Sequence, residues 1–345
     1  MQKRITTVVA TMLLASGMTT AAQQPQQQAD APRKAPAAAI RAAHAAPSTY
    51  TPKKLIDGQP DIAGDWSSAT YTPLERPADL KDTAFFTPEE AAAYAQRRLD
   101  GLYSQAKDNI HYDDAIWQSE KTPKGLNGLR TSLVVDPPDG RIPPVLPEAQ
   151  KRADAAAALR RSYPPTSILS RGITERCITS VNLTWSHDGA PLLPEGYNSN
   201  LRITQAPGYV VIETEMVHNA RVIPLDGRPH VGGGVRQYIG DYRGRWEGNT
   251  LVIESTNFND KTPFRGSTGA LKVTERITPV DADTLLYRAT VEDPNTWERP
   301  WTIEYPIVRT LEPMYEYACH EGNYGVANIL RAIAKEQEDA AKSAK

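Results

Sequence analysis

From residue 200 onward, apolar and polar residues alternate with a period of two, and turn-forming residues interrupt the pattern about every 8 to 12 residues. The alternating runs include LRITQ, YVVIETEMV, LVIESTNF, LKVTERITPV and TLLYRATVED. Such a pattern predicts about seven consecutive antiparallel strands joined by short turns. Because closing a meander into a barrel removes its exposed edges, we expect a mainly β fold with an up-and-down barrel. A twisted β-sandwich is the alternative.

Helical patterns flank the predicted strands. The run TPEEAAAYAQRRLDGLYSQ has Thr87 as N-cap, Pro88 at the first helical position and Glu90 in place for a capping box, which predicts a helix from 88 to about 105. A second helix is predicted over 147–163, and the tail after Tyr324 predicts a C-terminal helix. The fold class is therefore a barrel with N-terminal and C-terminal helices.

The N-terminus has the pattern of a secretory signal peptide. The basic start MQKR precedes an apolar run and then small residues, so we expect cleavage after Ala22. The apolar run is shorter than the roughly 20 residues of a membrane-spanning helix, so no stable membrane insertion is expected. Residues 23–58, rich in Ala, Gln and Pro, are predicted to be a flexible leader. We assign 59–165 to an N-terminal helical layer and arm, and 166–335 to the barrel with its C-terminal helix.

The predicted export of the protein indicates the oxidation state of its two cysteines, Cys177 and Cys319. A periplasmic or secreted location is oxidising, so we expect a disulfide between them, and a loop of about 140 residues would be closed. Two free thiols, one of them a nucleophile, are the alternative. The net charge of −2, with acidic and basic residues interspersed, predicts no nucleic-acid partner. The sequence does not indicate an oligomeric state.

Strand alternation places two ionisable residues among candidate site residues. In LKVTERI, Glu275 shares a face with the apolar residues Val273 and Ile277, so it needs either a partner, such as an arginine, or a wet cavity. His218 either continues the inward face of one long strand or occupies a hairpin turn. In both cases it is expected inside the barrel or at its rim, where small ligands bind.

Further candidates are polar or aromatic residues in turn-rich motifs: His230, Asp241, Trp246, His320 and Glu321. The spacing of the histidines matches no tight metal-ligand motif, so no metal site is assigned. The sequence has no nucleophile elbow, phosphate loop or dinucleotide fingerprint, and no cofactor is expected. Acid–base chemistry by His and Glu, which needs no cofactor, and binding alone are the functions left open.

Seven ordered motifs, among them VVDPPDGRIPP, ARVIPLDGRPH, RGRWEGNTLVIESTNF and YACHEGNY, resemble a family of exported, uncharacterised bacterial proteins. The Gly-x-Trp at 64–66 and the meander are also similar to lipocalin-like barrels. The family resemblance implies that Cys177 and Cys319 form a bonded pair. It adds Arg221 and Glu247 to the motif residues, and implies no established activity.

Three functions are consistent with these features. The first is a cofactor-independent hydrolase or lyase acting on a small organic or carbohydrate substrate in a barrel pocket, with His218, His320, Glu321 or Glu275 as acid–base groups. Substrate-binding residues would then be Arg221, His230, Asp241, Trp246 and Glu247. The second is a non-catalytic lipocalin-like protein that binds a small molecule or glycan. The third is a structural envelope protein, so the sequence leaves open whether the chain is an enzyme.

Overall fold

The computed structural model describes residues 50–80, 82–103, 127–181, 186–194, 198–261 and 264–343. The predicted signal peptide and the leader up to residue 49 lie outside the described residues. The strands are β1 (Gly64–Ser67), β2 (Val134–Asp136), β3 (Asn200–Ala206), β4 (Tyr209–Thr214), β5 (Asn219–Pro224), β6 (Asp241–Glu247), β7 (Thr250–Thr256), β8 (Lys272–Pro279), β9 (Thr284–Glu292) and β10 (Trp301–Arg309). The helices are α1 (Pro88–Tyr103), α2 (Pro147–Ser162) and α3 (Tyr324–Ser343).

The strands form a nearly closed antiparallel barrel, which confirms the predicted fold class. Their order is β5–β4–β3–β1–β10–β9–β8–β7–β6, and β2 pairs with β10 beside this path. Two meanders, β3 to β5 and β6 to β10, are joined through β1. Part of the segment 59–165, assigned from the sequence to a helical layer and arm, therefore joins the barrel sheet as β1 and β2.

The barrel has a seam between β5 and β6. Nine antiparallel strands alternate in direction, so the first and the last run the same way and cannot complete the antiparallel ladder. The two strands meet through side chains at Gly244 of β6. A Cβ atom there would lie 2.6 Å from Ile223 Cγ2 and 2.7 Å from Leu225 Cδ2, so any other residue would require these side chains to move.

The core follows the period-two pattern. Buried and partly buried residues alternate along β8, which directs Val273, Glu275 and Ile277 inward. The largest fully buried side chains include Trp66 and Trp301. Each fully buried large apolar side chain stabilises the fold by roughly 1.5 to 3 kcal/mol. Alternation in the sequence is thus the direct cause of the filled barrel interior.

The helices and the disulfide agree with the sequence predictions. The capping box at the start of α1 is present, because Thr87 N donates to Glu90 Oε2 at 2.8 Å and Glu90 N donates to Thr87 Oγ1 at 3.2 Å. Cys177 and Cys319 form a disulfide across 142 residues, which excludes the two free thiols. None of the described helices has the length and hydropathy of a membrane span.

Candidate functional site

A buried ion pair occupies the barrel interior. Arg221 of β5 donates through Nη1 to both carboxylate oxygens of Glu275 on β8, at 3.0 and 2.8 Å, and both side chains are fully buried. The Tyr287 hydroxyl donates to Glu275 Oε1 at 2.8 Å. Burial alone would lower the pKa of Arg221, but the adjacent Glu275 carboxylate raises it above its ordinary value. The structure thus gives Glu275 the arginine partner that its place on an apolar face required.

Residues 186–194, here called the plug, bond to two tyrosines, one of which bonds to Glu275 of this pair. Leu192 N donates to the Tyr287 hydroxyl at 2.7 Å, and the Tyr305 hydroxyl donates to Leu192 O at 2.9 Å. Ala190, Leu192 and Leu193 belong to the main hydrophobic core. A cavity beside the plug holds about 10 Å³, which is room for about one water molecule. The plug therefore fills interior space that a lipocalin-like ligand would need.

The plug also has a buried carboxylate, Asp188. It accepts hydrogen bonds from Thr179 Oγ1 at 2.8 Å and from Asn219 Nδ2 of β5 at 3.2 Å. Burial raises the pKa of Asp188, and these hydrogen bonds oppose the rise. Asp188 thereby fastens the plug to the first residue of β5.

A second polar cluster lies where the segment 225–240 enters β6. His230 Nδ1 is 2.7 Å from Asp241 Oδ2, and Val231 N donates to the same oxygen at 3.0 Å. Arg243 Nη1 donates to Asp241 Oδ1 at 2.8 Å. Burial would raise the pKa of Asp241, but these hydrogen bonds lower it overall. The carboxylate fixes the imidazole ring, whose Nε2 is buried and has no hydrogen-bond partner among the described residues.

The other predicted acid–base residues have separate surroundings. His218 occupies the turn between β4 and β5, with its Nε2 3.2 Å from Glu213 Oε1 and its side chain 42% exposed. The hairpin, rather than one long strand, is therefore present at His218. His320 and Glu321 are exposed and follow the disulfide directly. The structure thus brings His230 together with Asp241, and Arg221 with Glu275. It pairs His218 with Glu213, which was not a predicted site residue.

The last two predicted binding residues lie at the other end of β6. Trp246 Nε1 donates to Gln59 Oε1 at 3.3 Å. Glu247 is exposed and accepts from Arg276 Nη2 and Arg245 Nη2 at 2.7 and 2.9 Å. Within the described ranges, no group of three or more His, Cys, Asp or Glu side chains could hold a metal ion. These contacts tie neighbouring strands and the segment before β1 together.

A groove of about 390 Å³ lies at the barrel end where β9 connects to β10. The segment 142–145, with the sequence Ile-Pro-Pro-Val, forms one wall, and the first turns of α2 form another through Ala149, Gln150 and Ala153. Trp297 contributes to the lining, while Glu75, Arg265 and Gly266 complete it. This volume falls within the range of about 300 to 1,000 Å³ that small-molecule sites occupy.

The two charged residues of the groove differ in their bonding. Glu75 Oε1 accepts a hydrogen bond from Ile142 N at 3.0 Å. Arg265 is partly buried, and its Nε is fully enclosed without a hydrogen-bond partner. Burial lowers the pKa of Arg265, and the charge of Glu75 offsets part of that effect. Arg265 is therefore a partly desolvated cation with no bonded protein anion among the described residues.

Sequence reasoning missed this groove. Its residues come from five separate segments, between Glu75 and Trp297, and each is an ordinary residue type for its local element. One signal was present: the run GRIPPV, which cannot continue a strand past its prolines, precedes the start of a predicted helix. That run forms the apolar wall.

No protein-family model matches the chain, and no curated protein matches it significantly. The resemblance to exported, uncharacterised bacterial proteins therefore stays a prediction.

Proposed function

We propose that the chain is an exported binding protein whose small-molecule ligand lies in the groove between segment 142–145, α2 and Trp297. The observation that carries this proposal is a ligand-sized volume at one end of the barrel, in which the apolar segment 142–145 and Trp297 lie beside two charged side chains. The disulfide is compatible with a compartment outside the cytoplasm, as the predicted signal peptide requires.

The proposed ligand site lies outside the barrel, at one end. The sequence had predicted a site in the barrel interior. The interior is packed with core side chains, the Arg221–Glu275 pair and the plug. A ligand there would have to displace the hydrogen bonds of Leu192 to Tyr287 and Tyr305. The groove requires no such rearrangement, because its volume is already open.

The test uses the neutral fluorescent probe N-phenyl-1-naphthylamine, whose emission rises in apolar sites. Ala153 lines the groove, whereas Ala155, two residues along α2, is exposed and does not. We expect Ala153→Phe to weaken probe binding at least tenfold by filling the groove, and Ala155→Phe, the matched control, to leave it unchanged. Equal binding by the wild type and Ala153→Phe, or competition by maltose but not by apolar compounds, counts against the proposal.

The His230–Asp241 pair supports a second candidate function, acid–base catalysis. A carboxylate-bound imidazole with an unpartnered Nε2 has the arrangement of a general base and its orienting group. If this function is correct, His230→Gln abolishes the hydrolysis of p-nitrophenyl acetate. The control is His218→Gln, which removes another carboxylate-paired histidine. Equal rates for the wild type and both variants refute this candidate.

A further inference from the structure

We propose that the ligand of the groove is an organic anion, whose acid group is bound by Arg265 while its apolar body lies against segment 142–145. This inference rests on the proposed function and adds the chemical class of the ligand. It follows from the bonding, the backbone conformation and the surroundings of Arg265.

The bonding of Arg265 differs from that of other enclosed arginines. Arg76 donates to Thr131 Oγ1 at 3.0 Å, Arg130 to Glu304 Oε1 at 3.3 Å, and Arg221 to Glu275. Arg130 and Arg221 each have an enclosed Nε without a hydrogen-bond partner, as Arg265 has, but both bond to a carboxylate through another nitrogen. Arg265, by contrast, makes no hydrogen bond or ion pair with any residue that the structure describes. A partly buried cation without a bonded acceptor is stabilised by an anion that bonds to it. A ligand carboxylate or sulfonate supplies that acceptor, and a guanidinium can bind it through two N–H groups.

The backbone at Arg265 also has an unfavourable conformation. Its φ is 52°, in the left-handed region that residues with a Cβ avoid. Residues held in this region often lie at ligand-binding sites, where the conformation serves to aim the side chain. Arg265 is thus held in a costly conformation that places its guanidinium beside the groove.

Two features beside Arg265, the N-terminus of α2 and the carboxylate of Glu75, affect the binding of an anion. The N-terminal turns of α2 form one wall, and the partial positive charge at a helix N-terminus favours an anion there. Glu75 acts in the opposite sense, since its charge competes with the ligand for Arg265. Removing the charge of Glu75 should therefore strengthen the binding of an anion.

The test compares two probes that differ by one acid group: N-phenyl-1-naphthylamine and its sulfonate, 8-anilinonaphthalene-1-sulfonate. We expect the sulfonate to bind the wild type roughly tenfold more tightly or better, which is the effect of one hydrogen bond to a charged group. This preference should decrease with added salt, because ionic attraction is screened, while neutral probe binding should not weaken.

Variants of Arg265 and Glu75 test whether these residues cause the preference for the sulfonate over the neutral probe. Arg265→Met should equalise the two affinities, whereas Arg160→Met, which removes an exposed arginine at the other end of α2, should preserve the difference. Glu75→Gln retains an acceptor for Ile142 N and should increase sulfonate affinity alone. Arg265→Gly should also equalise the affinities yet raise the melting temperature, because glycine adopts positive φ readily.

The outcomes separate this inference from the proposed function. If the neutral probe binds and Ala153→Phe weakens it, but Arg265→Met leaves the sulfonate preference intact, the anion proposal is overturned and the groove stands. If Ala153→Phe affects neither probe, the groove itself is refuted. A sulfonate preference that disappears in Arg265→Met and increases in Glu75→Gln supports the inference.

Discussion

The buried Arg221–Glu275 pair offers a quantitative test of the filled barrel interior. Glu275→Gln keeps the shape of the side chain but removes its charge, leaving the fully buried Arg221 cation without its anion. Removing one partner of a buried pair costs about 3 to 5 kcal/mol. At about 2 to 4 °C per kcal/mol for a domain of this size class, the melting temperature should fall by roughly 6 to 20 °C.

Two comparisons make the prediction specific. Glu254→Gln breaks the exposed pair with Arg245, in which the side chains are 30% and 51% exposed, so it should cost less than about 1 kcal/mol. The double variant Arg221→Met with Glu275→Met removes both charges and should be more stable than Glu275→Gln alone, because apolar replacements of a buried pair are often neutral. The assay is urea unfolding followed by circular dichroism.

Two results would refute this reasoning. A loss below about 1 kcal/mol for Glu275→Gln would mean that water reaches the pair, so that the interior is not filled. A double variant less stable than either single variant would mean that the pair itself stabilises the fold beyond its own desolvation cost. Probe binding in the groove should be the same in all folded variants, since the pair does not line it.

The remaining predictions concern the disulfide, the seam and the plug. Replacing Cys177 and Cys319 together by Ser should lower the free energy of unfolding by about 4 to 5 kcal/mol in urea titrations, and a loss below about 1 kcal/mol would contradict the chain-entropy account. Gly244→Val should separate the seam and lower the melting temperature, whereas Gly232→Ala, with open space around its Cβ, should not. Burial raises the pKa of Asp188 above its unfolded value, so the stability of the wild type relative to Asp188→Asn should decrease as pH rises from about 4 towards the folded pKa. A difference that grows with pH has the wrong sign and would exclude this explanation.

Local patterns in the sequence were sufficient to predict most of the barrel. Alternation predicted most of the strands from β3 to β10, though not the bounds of β6, and the inward direction of Glu275, because burial on one face of a strand imposes a period of two. The capping box predicted the start of α1, and the oxidising compartment predicted the disulfide. These features depend on neighbouring residues or on residue chemistry alone.

Features that depend on distant packing could not be predicted. The partner of Glu275 was expected to be an arginine, but its identity as Arg221 follows from the curvature that brings β5 opposite β8. The left-handed conformation of Arg265 has no local sequence signal, since neither its residue type nor its neighbours require it. The groove likewise arises only when α2 packs beside the β9–β10 connection, so residue spacing could not indicate it.

The most direct test of ligand binding in the groove is a crystal structure of the protein with 8-anilinonaphthalene-1-sulfonate. We expect its rings to lie against segment 142–145 and its sulfonate to lie within hydrogen-bond distance of Arg265, with the plug unmoved. A probe bound inside the barrel beside Arg221, with the plug displaced, would contradict the account.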